Sequence, residues 1–186
     1  MFGKEKQKFY DLKNILSKNA DYNIIFGERS NGKTYAALLY GLRNYIEKGE
    51  QMAYVRRWRE DLRGKRADTL FNNHVNNGVI SDLTKGKYNE VFYLGGRWFL
   101  SYYDADTKKR KPSVEPFCYA FCLSEQEHDK SSSYPKVTTV VFDEFLTRRY
   151  YLPDEFMLFM GVLSTIIRQR NNVKVFMLGN TVNKFC

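Results

Sequence analysis

The chain of 186 residues (22.0 kDa) is 43% hydrophobic and 27% charged, which excludes a disordered protein and suits one sizeable core rather than two large domains. No apolar run approaches the ~18 residues of a membrane helix, and the start, MFGKEKQKFYDLKN, lacks the apolar stretch of a signal peptide, so a soluble protein retained in a cytoplasm is expected. Lysine and arginine exceed aspartate and glutamate by 30 to 21, giving a net charge of +9 and a pI near 9.4, a balance that favours a polyanionic partner.

Along the chain, Phe9 to Leu16 carries apolar residues at 9, 12, 15 and 16, the spacing of a short amphipathic helix packed ahead of a sheet. Tyr22 to Phe26 reads as a buried strand. It runs into Gly27, Glu28, Arg29, Ser30, Asn31, Gly32, Lys33 and Thr34, which fit GxxxxGK[ST], and then into a helix from Thr34 to Glu47. The chemistry explains this spacing: the loop turns its N–H groups inward around a phosphate, and glycines at both ends permit the turn. Lys33 can then reach the β/γ-phosphate oxygens and the Thr34 hydroxyl can meet Mg²⁺, while the helix start faces the anion. Lys48-Gly49 ends the helix, and Gln51 to Trp58 follows as the next strand of a β-α-β unit.

Arg56, Arg57, Arg59, Arg63, Lys65 and Arg66 cluster at the end of that strand and along an expected helix from Glu60 to Asn76; they suit phosphate contacts or a solvated face equally. Tyr88 to Tyr103 alternates around Gly95-Gly96 and reads as an inserted β-hairpin. Lys108, Lys109, Arg110 and Lys111 follow in a basic loop that is either a DNA-backbone contact or a surface charge run. Phe117 to Leu123 is an apolar strand whose Cys118 and Cys122 share a face as core residues. With Cys186, His74 and His128 they form no metal-binding spacing. Ser124 to Lys136 reads as a short helix and a mobile loop.

Val137 to Phe142 is a β-branched strand that ends at Asp143-Glu144, the second half of a nucleotide site. Asp143 is placed to assist Mg²⁺ together with Thr34, and Glu144 to polarise an attacking water. Pro153 to Arg170 predicts a helix with Phe156, Met160, Leu163, Ile166 and Ile167 on its buried face, and Val173 to Leu178 a last strand. Asn180, just past that strand, is a candidate γ-phosphate sensor. The sequence ends within six residues of it, which leads us to expect the motor half of a longer protein.

The segments GERSNGKT, VVFDEF and LGNTVN, with RRYYLPDEF and IIRQRNNVKV between the last two, resemble the DNA-packaging ATPases of small short-tailed phages. The likeness covers nearly the whole chain, and its most specific elements are Arg29 inside the loop, the Asp143-Glu144-Phe145 triplet and the Gly179-Asn180 pair. It implies an α/β P-loop ATPase of the additional-strand, catalytic-glutamate, terminase-like kind. Such an enzyme has a mostly parallel sheet flanked by helices, uses ATP and Mg²⁺, and occupies all of residues 1–186. It further implies a homo-oligomeric ring, a pentamer, that drives double-stranded DNA through the portal of an empty capsid in the host cytoplasm. A structural RNA serves as a partner in some relatives, and full-length members carry a C-terminal nuclease-like domain. One subunit would offer an arginine to its neighbour's ATP; Arg168 and Arg170 lie in the stretch where it is expected, with Arg148 or Arg149 as the fallback. From the residues alone, a helicase or partition-type ATPase is the nearest rival. A small-molecule kinase follows, and no NKxD motif supports a GTPase.

Overall fold

The computed structural model describes residues 10–125, 133–147 and 150–181. One sheet holds β1 (Tyr22–Gly27), β2 (Gln51–Arg56), β3 (Glu90–Leu94), β4 (Arg97–Asp104), β5 (Lys109–Pro112), β6 (Cys118–Cys122), β7 (Val137–Asp143) and β8 (Lys174–Asn180). Its order is β1-β8-β7-β2-β6-β4-β3, with β5 beside β4. Strands β1, β8, β7, β2 and β6 are parallel; β4 joins β6, β3 and β5 antiparallel. The strand that enters the phosphate loop (β1) and the strand that ends in Asp143 (β7) are thus separated by β8, the additional strand expected of this fold class.

The helices are α1 (Lys13–Leu16), α2 (Lys33–Lys48), α3 (Gly64–Asp68), α4 (Asn72–Asn76), α5 (Val79–Leu83) and α6 (Glu155–Ile167). On one sheet face Ala37, Leu38 and Leu42 of α2 join a buried cluster with Ile25, Met52, Val141, Phe176 and Leu178. On the other, Phe159, Val162, Leu163 and Ile166 of α6 meet Ala53, Val55, Val140, Phe142 and Val175. Strand alternation sends neighbouring residues of β2, β7 and β8 into different clusters, which is why these strands read as continuous apolar runs. The Gly95-Gly96 hairpin forms as expected, with Leu94 opposite Arg97 and φ of 55° and 79° at the two glycines.

Several local expectations fail for identifiable reasons. β1 lies at the edge of the described sheet, and the core cluster under α6 includes none of its residues; Tyr22, Ile24 and Phe26 are each about half exposed while Asn23 and Ile25 are buried. The helix expected over Glu60 to Asn76 is broken into a 3-10 turn (Arg59–Leu62), α3 and α4; Gly64 takes a positive φ of 51°, and asparagines in this stretch favour turns over continuous helix. The first helix is only four residues long, and Phe9 lies outside the described residues. In α6, where nearly every position is apolar, Phe159 and Val162 are buried and Phe156 and Met160 face outward. Lys109, Arg110 and Lys111 belong to β5 rather than to a loop. Most of the expected helix and loop over Ser124 to Lys136, together with Arg148, Arg149, His128 and Cys186, lies outside the described residues.

His74 of α4 is 1% exposed and ties α4 to the start of α2. Its Nε2 is 3.0 Å from the Tyr35 carbonyl oxygen, so this nitrogen carries the proton, and the rings of His74 and Tyr35 stack 4.1 Å apart. Nδ1 is buried without a hydrogen-bond partner among the described residues. Burial, partly opposed by the Tyr35 carbonyl, pulls the imidazole from 6.5 down to about 4. A folded-state value below the unfolded one means stability present above pH 6.5 is lost as pH falls toward 4. Between pH 7 and pH 4.5 this one group should contribute about 2 kcal/mol of destabilisation. Urea midpoints at both pH values should therefore differ less in His74→Phe than in the parent; equal differences would show that the imidazole does not titrate this way.

Candidate nucleotide site

The phosphate loop connects the end of β1 to α2, and its two glycines serve different purposes. Gly32 sits at φ 89°, a left-handed conformation that a side chain would strain, and a Cβ there would lie 3.4 Å from the Tyr10 nitrogen. At Gly27 the constraint is space: a Cβ would come within 2.5 Å of Asn31 Nδ2 and 3.5 Å of Lys33 Nζ. Ser30 also adopts a positive φ of 64°. Arg29, Ser30, Asn31, Gly32, Lys33, Thr34 and Tyr35 line a cleft of about 380 Å³ that Asn73, Asp143, Glu144, Leu178 and Asn180 close from the other side.

Lys33 is 5% exposed, and its ammonium is held by the loop's own acceptors. Nζ donates to the carbonyl oxygens of Gly27 (2.9 Å) and Glu28 (2.7 Å) and to Asn31 Oδ1 (3.0 Å); Asn180 Oδ1 is 3.3 Å away. Burial lowers the Lys33 pKa, and the charge of Asp143 opposes that shift. Asn180 reaches the cleft because β8 pairs with β1 in a register that sets Asn180 opposite Gly27, and the Thr181 N–H closes onto the Gly27 carbonyl at 3.0 Å.

At the cleft floor the Thr34 hydroxyl lies 3.1 and 3.2 Å from the two carboxylate oxygens of Asp143. Tyr54 Oη donates to Asp143 Oδ2 at 2.9 Å, and the Glu144 N–H to Oδ1 at 3.0 Å. Burial raises the Asp143 pKa, against the charge of Arg56 and the hydrogen bonds of Tyr54 and Thr34. A hydroxyl and a carboxylate are hard oxygen donors, the sparse set that Mg²⁺ completes with phosphate oxygens and water.

Glu144 follows in a left-handed conformation, φ 56°. Its Oε2 is 2.7 Å from Arg56 Nη2, and the same guanidinium lies 3.1 Å from Asp61 and 3.6 Å from Asp143. Burial works against the Arg56 charge, yet the surrounding Tyr54, Glu144, Asp143 and Asp61 outweigh it and raise its pKa. Arg57, 5% exposed, pairs with Glu155 at 2.5 Å. Both arginines are therefore engaged at the site rather than available to DNA phosphates, which corrects their reading as DNA contacts.

Sequence reasoning missed Tyr54, Glu155 and the roles of Arg56 and Arg57, because their partners lie in distant segments that only strand pairing brings together. One signal was present: the ends of parallel strands are where ligands bind in open α/β sheets, and Arg56-Arg57 closes the strand after the phosphate-loop helix. The basic run is partly self-neutralised. Lys111 pairs with Asp104, and Arg110 pairs with Glu90 at 2.9 Å and lies over Phe92, while Lys108 and Lys109 are exposed.

Both candidate arginines for a neighbouring site make contacts within this chain. Arg170 is wrapped by carbonyl oxygens, with Nη1 on Pro135 (2.9 Å) and Nη2 on Tyr134 (3.1 Å) and Ile166 (2.7 Å), so it braces the end of α6 and is a poor candidate to extend outward. Arg168 caps α6 with φ 41° and shares a groove of about 790 Å³ with Tyr22, Met160 and Gln169. Tyr22 starts the six-residue β1, so this groove lies about 20 Å from the phosphate loop of the same chain.

Comparison with known proteins adds four findings. The family model described as Podovirus DNA encapsidation protein (Gp16) matches residues 4–185. The DNA packaging protein of Bacillus phage phi29 is 30% identical over 183 residues, 96% of this chain and 48% of that protein, so the chain spans about half the length of this relative. Among solved structures, the N-terminal domain of the DNA packaging ATPase from bacteriophage phi29 superposes with a TM-score of 0.74 at 28% identity, covering 94% of this chain and 80% of that one. A chain of the bacteriophage phi29 viral genome packaging motor assembly gives 0.72 at 28% identity, covering 95% of this chain and 49% of that one.

Proposed function

The chain belongs to the podovirus DNA encapsidation protein (Gp16) family, and from that membership and the nucleotide cleft we propose that residues 1–186 are the ATP-hydrolysing motor domain of a machine that moves double-stranded viral DNA into a capsid. The observation that carries the reading is the convergence, in one cleft, of Lys33, the Thr34–Asp143 pair at 3.1 Å and Glu144. On this reading the loop from Gly27 to Thr34 surrounds the phosphates of ATP, and Thr34 and Asp143 hold Mg²⁺. When bound, Mg²⁺ would draw charge from the β- and γ-phosphate oxygens. Lys33 exchanges the loop carbonyls for phosphate oxygens and offsets the charge that develops on them. Glu144 takes a proton from the attacking water, which requires its carboxylate to turn from Arg56 toward the γ-phosphate position. Asn180, within reach of Lys33, registers whether that phosphate is present.

Family membership supports the partners in this reading. A ring of these subunits works at the portal vertex in the host cytoplasm, with DNA held through its phosphates by exposed cations such as Lys108 and Lys109. Arg168, distant from its own phosphate loop, is the arginine offered to a neighbour's nucleotide.

The test is Mg-dependent ATP hydrolysis per subunit as protein concentration rises, with and without double-stranded DNA. Turnover should climb more than linearly and rise further with DNA. Mixing inactive Arg168→Ala with inactive Glu144→Gln protein should restore part of the activity, since each supplies what the other lacks at a shared interface. Turnover indifferent to both concentration and DNA would count against the motor reading and favour a self-contained site.

A further inference from the structure

Arg56 and Arg57 adjoin at the end of β2, and strand alternation turns their side chains apart. Arg56 meets the Glu144 carboxylate; Arg57 meets the Glu144 main chain. Its Nη1 donates to the Glu144 carbonyl oxygen at 3.2 Å, and Nη2 donates to the next carbonyl, that of Phe145, at 2.9 Å. The other edge of the guanidinium forms a two-pronged pair with Glu155 at the start of α6, Nε to Oε2 at 2.5 Å and Nη2 to Oε1 at 2.6 Å. Glu155 Oε2 also accepts from the Leu152 N–H at 3.1 Å, and the Tyr151 ring lies 5.1 Å from the guanidinium. All three guanidinium nitrogens are therefore engaged, in a place shielded from water.

The peptide that Arg57 grips is the strained one. A left-handed conformation at a residue with a side chain is strained and persists only where surrounding contacts hold it. Glu144 is in that conformation at φ 56°. Two successive carbonyls fixed by one rigid planar cation define the peptide's orientation, and with it the direction in which the Glu144 side chain leaves the backbone. Arg56 cannot do this, because its contact to Glu144 ends on the carboxylate and must be released before that group can meet water.

We propose that Arg57, braced by Glu155, is a positioning residue for ATP hydrolysis that fixes the main chain of Glu144 and aims its carboxylate at the attacking water. The proposal rests on Glu144 being the group that polarises this water. Arg57 touches neither nucleotide nor metal position, so ATP binding stays with the phosphate loop.

The test compares the parent with Arg57→Lys, Glu155→Gln and Glu144→Gln. Lysine keeps the charge and one contact to Glu155 but cannot span two carbonyls and a carboxylate at once. Two readouts are taken: kcat at saturating Mg-ATP, and the ratio of affinities for Mg-ADP-aluminium fluoride, which includes the water's position, and a non-hydrolysable ATP analogue, which does not. Arg57→Lys should lower kcat and the affinity ratio at least tenfold, with affinity for the ATP analogue within twofold of the parent and a melting temperature close to it. Glu155→Gln should lower both readouts about threefold, and Arg57→Lys added to Glu144→Gln should cost nothing more. Equal loss of both affinities, in step with melting temperature, would make Arg57 a mere tether and overturn the proposal, as would an unchanged ratio in Arg57→Lys or, if that variant fails to fold, in Glu155→Gln. Parent-like turnover in Glu144→Gln would instead remove the base assignment on which the proposal stands.

Discussion

Glu144→Gln should bind Mg-ATP as the parent does and hydrolyse it at least a hundredfold more slowly. The amide is nearly isosteric with the carboxylate, so a hydrogen bond to Arg56 across the present 2.7 Å can survive, and Asp61 and Asp143 continue to balance the guanidinium. The phosphate loop is untouched. What is lost is the ability to accept a proton from water, and general-base catalysis of this kind contributes about 10²- to 10⁴-fold. Fluorescent-nucleotide binding and steady-state hydrolysis on the same preparation separate the two effects. Turnover within threefold of the parent would remove Glu144 from its role, whatever the binding result.

The second large effect is expected at Lys33, and it has two parts of unequal size. In Lys33→Ala the loop loses a cation that makes three contacts inside it, at Gly27, Glu28 and Asn31, and one to Asn180 of β8. Water can replace those contacts in the open cleft, so the melting temperature should move by only a few degrees. No water can replace the charge opposite the phosphates. A charge-assisted hydrogen bond is worth about 1.5–3 kcal/mol, which is about a 10- to 100-fold loss of nucleotide affinity. The loss should be larger in kcat/KM, because negative charge shifts among the phosphate oxygens as the bond breaks. Isothermal titration and hydrolysis kinetics on the variant would check both; nucleotide affinity equal to the parent's would mean that Lys33 stays with its carbonyls and never meets phosphate.

The sequence reading succeeded wherever local chemistry dictates spacing. The strand, loop and helix from Tyr22 through Lys48 are legible because phosphate binding demands particular residue types in order, and the Gly95-Gly96 hairpin because a two-residue turn demands positive φ. It failed wherever the answer depended on non-local pairing. Six cations between residues 56 and 66 read as one patch, yet the fold distributes three of them among distant partners: Arg56 to Glu144, Arg57 to Glu155 and Arg59 to Glu125. The buried face of α6 could not be read because an almost uniformly apolar helix carries no period. The edge position of β1 was hidden because strand order is a property of the whole sheet.

That edge position bears on how the isolated chain behaves at high concentration. Among the described residues β1 pairs along one side only, and Tyr22, Ile24 and Phe26 add an apolar surface next to its other side. Uncovered strand edges of this kind template sheet extension between molecules. Non-specific aggregation through β1 would increase with concentration just as a working ring does, so light scattering or elution volume alone would confound the two. Only association accompanied by gained turnover reports the motor, and soluble oligomers without it point to this adhesive edge.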